Sequence, residues 1–257
     1  MTAYACSPLK MKLPVALGRE PLVEAIFEVR FVDEPNLPDL VPGLLFAGLD
    51  TKPAVHRLPA ADIPQPVRKT DPKLSHVAIT RLELPDFNLL VGERNLILSC
   101  KLPYPKWPAF KREIVELMAV LAKQELQATV ERYSLKFVNL VPAPTPEDQI
   151  AKVNLDLKLG ELEVVNNHLN LQVHHHENGM LHILSLITGA NARLSDGVEV
   201  RGVVVDVDSI IQTNPTPFVE FVEQIEQSIE SLRQANKEKF FGCLKPETIQ
   251  EMEPVYE

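Results

Sequence analysis

The chain has 257 residues, of which 45% are hydrophobic and 24% are charged, and this composition is typical of a folded protein that buries a full core. The formal net charge of −9 argues against a nucleic-acid binder, because such proteins usually carry a basic surplus that displaces counterions from phosphates. Cys6, Cys100 and Cys243 form no CxxC pair, and neither an apolar run of about 18 residues nor a secretion signal is present, so we expect a cytoplasmic protein with reduced thiols and no membrane partner.

The first predicted element is a half-buried strand at Leu22–Phe31, where apolar and charged residues alternate with a period of two. A short helix is predicted near Pro38–Leu49. The segment Pro59–Pro72 contains four prolines, which cannot pair inside a sheet, and this predicts a long surface loop. The loop also carries a basic cluster, interpreted as solvated rather than as a contact for an acidic partner, which comprises Arg68, Lys69 and Lys73.

Three strands and a long helix complete the first half of the chain. The strands are predicted at Ser75–Leu84, Leu89–Val91 and Leu96–Cys100, with a turn between the last two. Pro108 is compatible with the first turn of a helix, where its missing N–H costs nothing. Apolar residues at helical spacing then continue the predicted helix to about Gln127.

The second half repeats this order of strands followed by a helix. Thr216 is the predicted N-cap of a long amphipathic helix that runs from Pro217 to Leu232, and a last short helix is predicted after Pro246. The strands predicted before it are Glu131–Val141, Val153–Leu159, His168–Val173, Met180–Ile187 and Val198–Ile211.

These elements predict an α+β fold with antiparallel sheets in two similar halves, each followed by a long amphipathic helix. The halves would span residues 20–128 and 130–255. No flexible linker separates them, so we expect residues 1–257 to form a single compact unit with a shared core or sheet.

Common catalytic and cofactor motifs are missing from the sequence. It contains no GxGxxG, GxxxxGK[ST], HExxH or GxSxG pattern, and only 10 glycines. Phosphate-binding loops need glycine for close backbone approach, so nucleotide binding of the common types is not expected, and no cofactor is predicted.

Histidines cluster around a predicted hairpin turn at Asn178-Gly179. With these residues in the turn, His175 lies opposite His182, close enough for two imidazoles to share a zinc or nickel ion. A strong site needs three or four ligands and no third is evident, so the favoured interpretation is a solvated hairpin tip. The full cluster is His168, His174, His175, His176 and His182.

Asp206 and Asp208 share one face of a predicted strand. Two carboxylates so placed can hold a metal or divide acid and base roles. Valines occupy the opposite face, which makes a solvated strand side the favoured interpretation.

Three segments resemble a known family: Pro21–Phe31 (PLVEAIFEVRF), Tyr104–Trp107 (YPKW) and Arg132–Asn139 (RYSLKFVN). They are similar, in the same order, to motifs of a sporadically distributed, uncharacterised prokaryotic protein family of about this length, which carries a serial number. The resemblance implies no catalytic residues. The patchy distribution of the family suggests an association with defence or toxin–antitoxin loci.

The sequence therefore favours a non-enzymatic binding or interaction protein whose partner is another protein. One version is an immunity- or antitoxin-like protein in which an acidic helix face meets a basic target. The alternatives are an enzyme whose site assembles in space near the His168–His182 hairpin, and a chaperone-like module. The sequence also leaves open whether the chain forms a homo-oligomer. The acidic helix face consists of Glu220, Glu223, Glu226 and Glu230.

Overall fold

The computed structural model describes residues 12–32, 36–162, 167–193 and 199–256. Within these ranges, no helix is both long enough and apolar enough to span a bilayer. The helices are α1 (Leu37–Gly48), α2 (Gln65–Thr70), α3 (Trp107–Lys123), α4 (Pro146–Lys152), α5 (Phe218–Gly242) and α6 (Pro246–Glu251). The strands are β1 (Ala16–Leu17), β2 (Leu22–Phe31), β3 (Ala54–Arg57), β4 (Ala78–Glu83), β5 (Phe87–Gly92), β6 (Asn95–Cys100), β7 (Thr129–Pro142), β8 (Asn170–Glu177), β9 (Met180–Arg193), β10 (Glu199–Pro217) and β11 (Pro254–Val255).

One nine-stranded sheet organises the fold, with the strand order β3-β4-β5-β6-β2-β7-β10-β9-β8. All of its neighbouring strands are antiparallel. A second, two-stranded sheet pairs β1 with β11 and so joins the two ends of the described chain. The predicted α+β class with antiparallel sheets is confirmed.

The two halves of the chain follow the same path through this sheet. In each half a central strand is followed by a helix and by three antiparallel strands, the last of which returns to pair with the central strand. A long helix then ends the half. The second path is β7-α4-β8-β9-β10-α5, and the first is β2-α1-β4-β5-β6-α3 with the additional edge strand β3 and helix α2 inserted between α1 and β4. The central strands β2 and β7 pair with each other, so both halves belong to one sheet.

The core lies on one face of this sheet, which we call the helix face. Alternate residues of β2, such as Phe27 and Val29, are fully buried against α1, α3 and α5. Phe110 of α3 and Phe218 of α5 belong to the same cluster, which therefore crosses from one half to the other. Burying these large side chains is the main stabilising contribution to the fold.

The predicted strand at Val153–Leu159 is wrong. Val153 and Leu159 make only isolated β-bridges, to Leu244 and Leu162, and the backbone N–H of Asn154 donates to the carbonyl of Cys243 at 2.7 Å. The segment therefore follows the end of α5 and leaves the sheet, so its alternating leucines have no strand to pair with. Leu159 is 61% exposed as a result.

The proline-rich segment is also more ordered than the predicted loop. Its prolines begin a 3-10 helix at Pro59–Asp62 and helix α2 rather than interrupt a strand. Arg68 of α2 is buried, and its Nη2 lies 2.6 Å from Oε1 of Glu93. The expectation that Arg68 is solvated is therefore wrong, because the buried guanidinium has a buried carboxylate partner.

The start of α5 also differs from the prediction. Pro217, not Thr216, is the N-cap residue, and the Thr216 hydroxyl donates to the carbonyl of Asn214 instead. The backbone N–H of Phe218 is satisfied by the carbonyl of Ala128, so the helix needs no side-chain cap there.

Candidate functional site

The face of the sheet opposite the helices carries a row of charged side chains at the centre of the molecule. It arises from the same alternation that builds the core: in each central strand the apolar residues face the helices, so the residues between them face the other way. We call this row the charged strip. It consists of Glu28 and Arg30 of β2, Arg132 and Lys136 of β7, and Asp206 and Asp208 of β10.

Ion pairs connect the charged strip across the three strands. Glu28 accepts a 2.9 Å hydrogen bond from Nε of Arg30, and its Oε2 lies 3.6 Å from Nη2 of Arg132. The same Arg132 nitrogen lies 3.8 Å from Oδ2 of Asp208. Nζ of Lys136 lies 3.0 Å from Oδ2 of Asp206. Positive and negative groups therefore alternate along the strip, which has no net charge of its own.

Burial makes the charges of the strip costly. The Asp208 side chain is only 20% exposed, and burial raises the pKa of Asp208 to about 6 against the opposing attraction of Arg132 and Lys136. Burial likewise lowers the pKa of Arg132, although its guanidinium stays charged. The charged forms of Asp208 and Arg132 are therefore less stable here than they would be in water.

Several polar atoms of the strip are shielded from solvent and have no hydrogen-bond partner among the described residues. They are Oδ1 of Asp206, Oδ1 of Asp208 and Nε of Arg132. Buried polar atoms are normally satisfied, so these three atoms mark positions that a partner group or a bound water would complete. The strip offers two acceptors and one donor in this way.

His76 borders the strip without a charge of its own. Its carbonyl accepts a 3.0 Å hydrogen bond from Nδ2 of Asn95, which also donates to Glu28 at 2.8 Å. Burial, and after it the nearby Arg30, lower the pKa of His76 to about 4. The imidazole is therefore neutral at physiological pH.

Aliphatic side chains surround the strip on the same face of the sheet. They are partly exposed, and the strand registers place them beside the charged residues. The cores of protein–protein interfaces are depleted in charged residues, so these apolar neighbours, rather than the charges, supply the area that a contact with another protein would bury. These neighbours are Ile26, Ile97, Val138, Ile183 and Val204.

The two histidines of the predicted metal site do face each other. His175 and His182 are register partners in the β8–β9 hairpin, and their ring centroids are 6.4 Å apart. His175 is exposed, whereas His182 is buried and its Nδ1 lies 2.9 Å from the Ser209 hydroxyl. Burial and Lys239 lower the pKa of His182. Among the described residues, no group of three or more His, Cys, Asp or Glu side chains could hold a metal ion, so the two-histidine site stays a prediction.

The remaining histidines of the cluster do not join this pair. His174 and His176 are exposed and point to the face opposite His175, and His168 lies beside Gly189. The contact between His182 and Ser209 has the length of a nucleophile–base pair, but the residues are only 1% and 0% exposed. A substrate has no access to them. The contact instead positions α5, since Nδ2 of Asn236 donates to Ser209 at 3.0 Å.

The predicted acidic face of α5 is divided between two roles. Nζ of Lys111 lies 3.4 Å from Glu226 and 3.3 Å from Glu230, and the Trp107 indole N–H donates to Glu230 at 3.1 Å. These two glutamates thus contact α3. Of the four glutamates of this face, Glu220 and Glu223 are exposed and have no ion pair among the described residues.

From the sequence, only Asp206 and Asp208 of the charged strip are candidate site residues, and the other four residues of the strip are not. Asp206 and Asp208 stand out in the sequence because valines alternate with them. The same alternation brings Arg132 and Lys136 to one face, but only the pairing of β7 with β10 shows that they meet the aspartates. Comparison with models of known protein families gives no match for this sequence, and comparison with curated proteins gives none either.

Proposed function

We propose that this chain is a non-enzymatic, cytoplasmic binding protein whose charged face recognises another protein. The charged strip is the observation that carries this proposal: ionised side chains are held half-buried on the open side of the sheet, at a cost to the fold, with polar atoms left unpartnered. An ion pair that only stabilises the fold gains nothing from polar atoms without hydrogen-bond partners. At a binding surface, groups of the partner supply those missing hydrogen bonds on contact. The flanking aliphatic side chains supply the apolar area that such a contact buries.

The alternation of charge indicates how a partner would be selected. A strip without net charge does not attract a partner of one sign over long distances. It does discriminate at close range, because a partner must place a donor near Asp206 and Asp208 and an acceptor near Arg132. We therefore infer specific recognition with a modest dependence on salt. The resemblance to a sporadically distributed prokaryotic family supports a role in defence or toxin–antitoxin loci.

A charge swap tests this proposal directly. In the double variant Lys136→Asp with Asp206→Lys, the ion pair is kept but its direction is reversed. The matched control is Lys111→Glu with Glu226→Lys, which swaps an ion pair on the helix face. We expect both variants to fold with a lowered melting temperature, because the new carboxylate at position 136 faces Asp208 and the one at position 111 faces Glu230. Only the first should lose the proteins that wild type captures from a lysate of the native host. Capture of the same proteins at unchanged affinity by the first variant contradicts the proposal.

A second candidate function, a chaperone-like module, is favoured by strand β8. This edge strand is exposed along its length and pairs only with β9. A groove of about 280 Å³ lies beside it on the helix face, lined by Leu155, Val173, Leu184 and Leu186 among others. An extended apolar segment of an unfolded protein could pair with such an edge and place side chains in the groove.

Aggregation assays separate this candidate from the first. A chaperone-like protein should slow the aggregation of a denatured model protein, and Val173→Lys should abolish that effect by placing a charge in the groove. The exposed change Gln172→Lys on the opposite face of β8 is the control. Failure of wild type to slow aggregation removes this second candidate and leaves the first untouched.

A further inference from the structure

A small polar pocket lies between residues 14–22 and the C-terminal half of α5. We call it the α5 pocket. Its volume is about 60 Å³. It shares no residue with the charged strip, so nothing below rests on the function proposed above. The polar side chains that line it are Glu20, Tyr104, Asn139, Arg233, Asn236 and Lys237.

Arg233 supplies a cation without a carboxylate partner. Its Cζ lies 4.3 Å from the ring centroid of Phe137 and 5.7 Å from that of Trp107, so the guanidinium rests on aromatic surfaces. Among the described residues, no carboxylate is within 4.0 Å of it. Glu20 forms an ion pair with Lys106 instead. Burial lowers the pKa of Arg233, yet a guanidinium remains protonated, and its charge has no direct ion-pair partner because Glu20 and Glu230 act on it only from a greater distance.

Two further groups in the pocket have unused hydrogen-bonding capacity. The Tyr104 hydroxyl is shielded from solvent and has no partner in the described chain. Asn236 is fully buried, and its Nδ2 donates to three acceptors, at 2.8 Å to the Val207 carbonyl, 3.0 Å to Ser209 and 3.2 Å to the Leu135 carbonyl. Its Oδ1 has no partner. The amide orientation is set by those three bonds, so a free acceptor remains.

Lys237 adds a second cation at the edge of the pocket. Its Nζ donates to the carbonyl of Pro14 at 2.7 Å, which uses one of its three protons. Beside the Asn139 amide and the Glu20 carboxylate, which is paired with Lys106, the pocket therefore presents two cations, a hydroxyl donor and, as an acceptor, one buried amide oxygen. Anionic oxygens satisfy the first three groups, and only a ligand that also carries an O–H or N–H satisfies the last.

We propose that the α5 pocket binds a small oxyanion that carries one hydroxyl group, with hydrogen phosphate as its simplest example. Arg233, Lys237 and Tyr104 would hold the anionic oxygens, and the hydroxyl would donate to Oδ1 of Asn236. A volume of 60 Å³ corresponds to about four water-sized positions, which suits a tetrahedral anion and excludes nucleotides. Sulfate has the same shape and lacks the hydroxyl, so it leaves Asn236 unpartnered.

The test is titration calorimetry of the full chain at pH 7.2 with inorganic phosphate, sulfate, methyl phosphate and chloride at matched ionic strength. We expect phosphate to bind at least about 10-fold more tightly than sulfate, because one buried acceptor stays unpaired with sulfate. Methyl phosphate distinguishes free phosphate from a phosphate monoester, because its dianion carries no O–H and should therefore resemble sulfate.

Variants connect the binding to the pocket. Tyr104→Phe removes an unpartnered hydroxyl, so it should melt like wild type without phosphate and bind phosphate about 3- to 10-fold more weakly. Arg233→Met should abolish binding, and Arg112→Met, at an exposed arginine, is the control. Phosphate that binds no better than sulfate or chloride means that the pocket holds only water and overturns the proposal. Wild-type affinity in Tyr104→Phe also overturns it, whether or not Arg233→Met folds.

Discussion

At the scale of single residues, two groups of the charged face respond to pH in opposite directions. The pKa of Asp208 is raised from 3.8 to about 6, so the folded protein holds this proton more tightly than the unfolded chain does. Its contribution to stability is therefore greatest at low pH and is lost as pH rises through about 6. The pKa of His76 is lowered from 6.5 to about 4, so the unfolded chain takes up the proton first. Stability from His76 is present above pH 6.5 and is lost as pH falls towards 4.

The substitution Asp208→Asn tests the cost of the buried carboxylate. Because ionisation is unfavourable in the fold, we expect the variant to unfold with a free energy about 1–3 kcal/mol higher than wild type at pH 7.5. The gain should disappear at pH 4, where Asp208 is already neutral in the folded state. Urea titrations at the two pH values measure both differences. A variant less stable than wild type at pH 7.5 shows instead that the attraction of Arg132 exceeds the cost of burial.

The buried pair of Arg68 and Glu93 predicts a loss rather than a gain. Glu93→Gln leaves the Arg68 guanidinium buried without a counter-charge, so the free energy of unfolding should fall by about 3–5 kcal/mol. Glu83→Gln is the control, because Glu83 pairs with Lys101 at a partly exposed position and should change stability by only about 0.5 kcal/mol. The denaturant midpoints of both variants measure these two changes in stability. Equal, small effects imply that α2 is held by something other than this pair.

At the scale of elements, α5 shows where sequence patterns stop being sufficient. The apolar stripe predicts its start and its inward face, but it suggests an end at Leu232, whereas the helix continues to Gly242. The next inward position is Asn236, a polar residue that breaks the stripe. Its burial makes sense only with the Leu135 and Val207 carbonyls beside it, which lie about 100 and 30 residues away in sequence, respectively. Local periodicity carries no information about such partners.

Phe221→Ala tests the buried face of α5. Phe221 is 6% exposed, and its ring centroid lies 5.2 Å from that of Tyr133. Its truncation should lower the free energy of unfolding by about 3–5 kcal/mol. Glu223→Lys, two residues further along on the exposed face, should leave the melting temperature nearly unchanged. Similar melting temperatures for Phe221→Ala and wild type would rule out a buried role for this stripe.

Limited proteolysis distinguishes the two segments whose predictions were wrong. The proline-rich segment forms helices and includes the buried Arg68, whereas residues 154–162 are mostly exposed and make few backbone hydrogen bonds. Trypsin should therefore cut after Lys158 before it cuts after Lys73, although both side chains are exposed. Mass spectrometry of the earliest fragments identifies the site. First cleavage at Lys73 means that α2 opens more readily than its contacts indicate.

At the scale of the whole molecule, the alternation of apolar and polar residues along single strands predicts the fold class. It does not predict which distant strands pair with each other. Leu22–Phe31 and Glu131–Val141 each read as strands from their sequence. Their direct pairing, with Phe27 opposite Leu135, joins residues more than 100 positions apart and is visible only in the structure. The charged strip depends on this pairing and on that of β7 with β10. A sequence shows which residues leave the core, but not which of them meet.

Because β2 and β7 pair at the centre of the sheet, we expect the two halves to unfold together. Residues 20–128 and 130–255 contribute to one sheet and one main core, so denaturation should show one transition. Fluorescence of Trp107, which lies in the first half, should coincide with far-ultraviolet circular dichroism, which reports both halves. Expressed separately, neither half should give a cooperative transition, because each then exposes an unpaired central strand. Two resolved transitions in the intact chain would contradict a single unit.

The central position of β2 has a consequence for synthesis on the ribosome. Its partner β6 ends at Cys100, but its other partner, β7, ends at Pro142, which is 42 residues later (142 − 100). At about 5–20 residues per second, the nascent first half waits roughly 2–8 s with one edge of β2 open. An open strand edge invites pairing with neighbouring nascent chains on the same polysome. Glu28 and Arg30 lie on that strand, and charges there disfavour pairing with another chain, so we expect these two residues to protect the growing polypeptide before its second half is made.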